Sequence, residues 1–295
     1  MFWLIWKQQR KQFLLGLLLV AAYAAFVLTT GISIDHRRQP DLISTTWLNI
    51  VRAGYAVPVL LGMFWGAPLI SNEYDSGTNK FIWTQGISRR KWLFSKLAVT
   101  MIVAGLCGLA CSLLASWWFG LPTSYGVIGS RFYPAQFGAT GLMPIIYSIF
   151  AIGLGAAIGA WLKKPVAAIA TTLALYSFAF FLVAGYLRPN YMTAYRYIYK
   201  APTGCVTNHY PNGSSSVDCA HYDEGPASLR NDMGLWVTRT TLNMRQQTAT
   251  GPQQTVFYQP GRRYWRFQGT EAGIYLGLSA LTAVAAYRLV VKRDA

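Results

Sequence analysis

Six stretches of this chain, at about 13–32, 49–70, 97–119, 141–162, 166–187 and 270–291, are apolar over the length of a membrane crossing. A hydrocarbon core about 30 Å thick takes roughly 20 residues of helix at 1.5 Å rise each. Of the 295 residues 53% are hydrophobic and 12% charged, far from the balance of a soluble domain. The expected fold is an all-α polytopic membrane protein with six transmembrane helices. Pro58, Pro68 and Pro144 fall inside these runs, where neighbouring helices can satisfy the freed backbone groups.

Charge supplies the orientation. The net charge of +16 would suggest nucleic acid for a soluble protein, but here the cations cluster beside the apolar runs, so a lipid membrane is the expected partner and nucleic acid is not. Lys7, Arg10 and Lys11 precede span one, Lys80, Arg89, Arg90, Lys91 and Lys96 separate spans two and three, Lys163 and Lys164 separate spans four and five, and Lys292 and Arg293 follow span six. All fall on one side of a six-span chain, which predicts cytoplasmic termini and places 188–268 outside. Trp47, Trp117, Trp118 and Trp265 near outer ends, with Trp65, Trp92 and Trp161 near inner ends, fit interfacial belts, although some will be core packing. The basic residues before "FLLGLLLV" also resemble a cleavable leader, but apolar residues continue to Ile32, so an uncleaved first span is expected.

The domain order predicted is an interfacial helix at 1–12, spans one to five at 13–187 with a cytosolic loop at 71–96, a small mixed extracytoplasmic domain at 188–268, and span six with a cytosolic end at 269–295. Residues 201–216 read as irregular loop, whereas "LWVTRTTL" and "QQTVFYQP" carry the residues of a small hairpin. Cys205 and Cys219 lie in this exported segment and are expected to form a disulfide; a zinc site with His209 and His221 is the weaker alternative, since the spacing matches no tight metal pattern. Cys107 and Cys111, one turn apart in span three, read as small packing residues. No phosphate loop, nucleophile elbow or H-E-x-x-H is present, so no catalytic residue, metal or cofactor is assigned to the chain.

"NEYDSGTNKFIWTQGISRRKW", residues 72–92, interrupts two apolar runs with charge, glycine and tryptophan. Ser76-Gly77-Thr78 predicts a turn, Thr78 can cap a helix over 79–85, and Gly86 stops it. Ser88 then caps span three, with Ile87 and Trp92 at the positions of a hydrophobic staple. Glu73 and Asp75 sit at the carbonyl end of span two and Arg89, Arg90 and Lys91 at the amino end of span three, each set opposing its helix dipole. Folding the loop back would pair Glu73 or Asp75 with Arg89 or Arg90.

"FWGAPLISNEYDSGTNKFIWTQGISRRKW" resembles the segment after the second span in permease subunits of bacterial type-2 (exporter class) ATP-binding-cassette transporters; "YQPGRRYWRFQGTEAG" at 258–273 and the terminal "VVKRDA" are similar to the same group. The resemblance implies a permease of the bacterial cytoplasmic membrane that pairs with a second permease copy and is driven by a cytosolic ATPase subunit, which holds the ATP and Mg. It also implies a coupling helix at Thr78 to Gly86, with Phe81, Ile82 and Trp83 as its apolar contact and Glu73, Gly77, Lys80, Gln85, Arg89 and Arg90 around it. The bilayer interface is the other surface that could cover those apolar residues.

Within the spans the polar candidates for a substrate pathway or gate are Arg52, Tyr55, Tyr147, Tyr176 and Glu271; Arg52 and Glu271 lie near outer ends, where snorkelling is cheap, and could also pair across spans. Two functions compete: an exporter permease for a hydrophobic or amphipathic compound, and a membrane sensor whose ligand-binding part is 188–268. The shortage of clustered His, Asp and Glu makes a membrane enzyme the least favoured.

Overall fold

In the computed structural model, residues 2–37, 40–77, 88–121, 132–200, 205–209, 215–219, 236–243 and 253–292 are described. Among them six helices are long and apolar enough to cross a membrane: Phe13–Ser33, Thr45–Asp75, Arg89–Phe119, Met143–Leu162, Pro165–Asn190 and Gly261–Val291, numbered spans one to six. All six expected crossings are found. Span one belongs to an unbroken helix, Phe2–Arg37, so no break divides residues 2–12 from it as the expected interfacial helix would require.

Span four is the centre of the bundle and shows how the chain folds around glycine. Added Cβ atoms would lie 2.6 Å from Gly62 O at Gly155 and 2.3 Å from Ala67 O at Gly159, closer than real Cβ contacts come. Spans two and four therefore touch backbone to backbone, the approach that small residues at four-residue spacing permit between membrane helices. Span two meets this contact with a π-helical turn, Gly62–Gly66, which comes after Pro58 and precedes Pro68. Such turns widen a helix where its regular bonding is interrupted. Gly16 of span one is likewise set against the Trp65 indole.

Tryptophan divides between core and surface. Trp65, Trp92 and Trp118 are buried, Trp65 edge-on to Phe13 at 5.6 Å, so these three are core rather than belt residues. Trp117, Trp161 and Trp265 are exposed near helix ends, as expected.

Among the described residues between spans five and six are five strands: β1 (Tyr195–Lys200), β2 (Cys205–His209), β3 (Ser215–Cys219), β4 (Trp236–Asn243) and β5 (Gln253–Gln259). The expected hairpin is the antiparallel β4·β5 pair, extended by β1 into a sheet of order β1-β5-β4. Part of 201–216 is not irregular loop, because β2 and β3 pair antiparallel with Cys205 opposite Cys219. The Pro, Gly and Ser of that stretch masked two short strands that flank them.

Candidate functional site

Spans four, five and six bring their ends together. Span five finishes in a π turn, Leu182–Leu187, with a 3₁₀ turn, Arg188–Asn190, directly after it. A π turn takes in one residue more than an α turn and so re-aims the residues beyond it. Arg188 is 2% exposed and Glu271, in the second turn of span six's helix, is fully buried.

The two form a forked pair. Arg188 Nε donates to Glu271 Oε2 at 2.8 Å and Nη2 donates to Oε1 at 2.7 Å. The Tyr147 hydroxyl donates to Oε1 at 2.5 Å and accepts from Arg188 Nη2 at 3.2 Å; the Tyr191 hydroxyl donates to Oε2 at 3.3 Å. Arg188 Nη1 reaches Pro134 O at 3.3 Å, and its guanidinium lies 4.6 Å from the Phe137 ring. Burying a carboxylate and a guanidinium is tolerable only when their bonds are largely made, and here each Glu271 oxygen accepts two bonds and Arg188 makes four. Burial first, and then the Glu271 carboxylate, push the Tyr191 phenol up, so it stays protonated and donates.

Around the pair stands an aromatic wall. Tyr147 packs on Tyr275 at 4.9 Å, Phe150 on Tyr275 at 5.2 Å and on Tyr176 at 5.8 Å, and Phe180 on Tyr55 at 5.1 Å. The Tyr275 hydroxyl is buried with no hydrogen-bond partner. Gln268, one turn before Glu271, binds the irregular backbone ahead of span four: its amide donates to Phe137 O at 3.0 Å and its oxygen accepts from Leu142 N at 2.9 Å. Tyr55 accepts from Gly138 N at 3.0 Å, and Ser112 donates to Gly141 O at 2.8 Å. Non-helical backbone within a membrane protein needs such partners.

Four of the five pathway candidates, Tyr55, Tyr147, Tyr176 and Glu271, thus gather in one cluster. Arg52 does not join them. It is exposed, and the partner of Glu271 is Arg188 in place of the Arg52 considered from the sequence, because the π turn brings a guanidinium from span five to bonding distance. Sequence reasoning missed Arg188, Tyr191, Gln268 and Tyr275.

A second buried ion pair joins Glu73 at the far end of span two to Lys96 of span three. It supplants the expected pairing of Glu73 or Asp75 with Arg89 or Arg90: the charge that meets Glu73 is two turns inside span three, and Asp75 is exposed. Lys96 Nζ also lies 5.2 Å from the Trp92 ring, whereas Glu73 Oε2 is buried without a partner. Arg90 lies 5.6 Å from the Tyr287 ring, Ser88 caps span three by accepting from Lys91 N, and Gly77 has the positive φ of 69° that a turn leaving span two requires. Thr78, Lys80, Phe81, Ile82, Trp83 and Gln85 lie outside the described residues, as do the side chains of Cys205 and Cys219. Among the described residues no group of His, Cys, Asp and Glu could hold a metal ion.

The family model described as ABC-2 membrane transporter related matches residues 34–188, more than half of the chain. The chain belongs to that family. Comparison with curated proteins and with solved structures gave no match. As a membrane transport permease of the ABC-2 related family, it carries one of its buried ion pairs, Glu73–Lys96, wholly inside the matched segment. The other is divided, with Arg188 the last matched residue and Glu271 beyond it.

Proposed function

We propose that this permease is the membrane-spanning subunit of an ATP-binding-cassette exporter, forming the pathway for a hydrophobic or amphipathic substrate and driven by a separate ATPase that binds ATP and Mg. The observation that carries the reading is the family match across 34–188, which takes in the whole segment between Glu73 and Arg90. The ATPase docks on residues 78–86, with Phe81, Ile82 and Trp83 as the apolar contact. Both termini are cytoplasmic, a second copy completes the pore, and 188–268 faces outward with Cys205 and Cys219 bridged. The strand register that sets these two cysteines opposite one another supports the bridge.

In this reading the Glu73–Lys96 pair ties the roots of spans two and three on either side of the docking segment, so a push there moves both helices together. Span two, in backbone contact with span four, carries the displacement to the Arg188–Glu271 clasp, which gates the outer end. Co-expression with a phosphate-loop ATPase encoded beside it tests this. Membranes holding both chains should show compound-stimulated ATP hydrolysis that Trp83→Ala abolishes while leaving the permease folded. Hydrolysis indifferent to the permease would overturn the reading.

A further inference from the structure

The outward face of span six carries a feature that neither the clasp nor the docking segment uses. Arg262 and Arg266 are exposed one turn apart at the start of this span, with Trp265 60% exposed beside them. Among the described residues no carboxylate forms an ion pair with either arginine. Arg262 Nη2 donates to the Tyr195 hydroxyl at 3.3 Å, and that bond, with the field of Arg263, holds the exposed phenol below its usual value. Arg263 itself is engaged inward, donating to Thr193 O at 2.7 Å and Gln259 Oε1 at 2.6 Å. Two cations are left facing outward at a helix amino end, where the dipole favours an anion.

Below them the same face is bare. Gly269, Gly273 and Gly277 are each so open that an added Cβ would meet nothing within 4 Å. From Arg266 to Gly277 the helix rises about 16 Å, the depth of one leaflet. Leu276 and Leu281 flank the lower part and are exposed.

We propose that this face is a binding site for one anionic phospholipid, its phosphate on Arg262 and Arg266, Trp265 at headgroup level and an acyl chain along Gly269, Gly273 and Gly277. The glycines alone would suit a second helix equally well. The arginines decide between them: a two-fold copy packed through this face would set Arg262 and Arg266 against their own counterparts at the same height, like charge against like. A lipid phosphate supplies the missing negative charge, and a chain fills a shallow groove without losing helix packing.

Native mass spectrometry of the purified full chain with phosphatidylglycerol or phosphatidylcholine of identical chains tests the site. Two interfacial arginines should favour retention of the anionic lipid by roughly tenfold or more. R262Q/R266Q should cut that preference to within about twofold at unchanged thermal stability, R262K/R266K should restore most of it, and G273L should lower retention of both lipids. Inorganic phosphate at millimolar concentration should not displace the lipid, because it lacks the chain; displacement would show a simple anion site and overturn the proposal. Equal retention of the two lipids, a full preference in R262Q/R266Q, or crosslinking of G273C chains to each other through span six would also overturn it.

Discussion

The two buried ion pairs stand at opposite ends of span two and are built differently. From Tyr55, beside the Arg188–Glu271 clasp, to Glu73 the helix rises about 27 Å. At the clasp both carboxylate oxygens are bonded, the arginine is forked and two tyrosines add donors. At the other end one lysine meets one oxygen, and Glu73 Oε2 has no partner. A forked, saturated pair has one good geometry; a point charge on a flexible stem has several. The clasp is therefore suited to two discrete states, closed or broken, and the Glu73–Lys96 tie to following a moving partner without breaking.

Breaking the clasp should have the largest effect. Arg188→Met leaves Glu271 buried without its countercharge and should cost about 3–5 kcal/mol, read as lost thermal stability of the detergent-solubilised protein. Adding Glu271→Leu to it should recover part of the loss; a double variant worse than either single one would show that the pair is not acting as a unit. Next comes the contact that links the two ends. Gly159→Leu forces spans two and four apart and should cost about 1–3 kcal/mol or more, with loss of transport even where folded protein is recovered. Lys96→Met should cost less than Arg188→Met, about 1–3 kcal/mol, because it strands a group already half satisfied. An equal loss at the two sites would erase the contrast between them. Tyr191→Phe removes one donor from an otherwise saturated clasp and should cost about 0.5–1.5 kcal/mol.

Much of the fold could be read from the chain because hydropathy over twenty residues, β-branched and aromatic runs divided by turn signals, and capping residues are local signals. The six spans, the β4·β5 hairpin and the Ser88 cap all belong to this kind. The gathering of Tyr55, Tyr147, Tyr176 and Glu271 was legible in part, since polar groups inside spans must face one another rather than lipid. Their cation was not. Arg188 closes an apolar run and looks like the first residue of a loop; only the π turn at Leu182–Leu187 brings it inside, and nothing in "LVAGYL" announces such a turn. Lys96 was misplaced for the opposite reason, counted with the loop charges when two helical turns already separate it from Ser88. Partner choice across helices depends on rotation of each helix about its axis, which a hydropathy profile does not record.

The proposal that an ATPase drives the permease through residues 78–86 is open to direct measurement. A photo-reactive phenylalanine placed at position 83, in cells carrying the chromosomal neighbours of this permease, should give one crosslinked product that contains a phosphate-loop ATPase, and its yield should change with ATP. If the probe reacts with lipid alone while transport continues, the segment between spans two and three is a membrane-surface element and not the point through which a companion drives the permease.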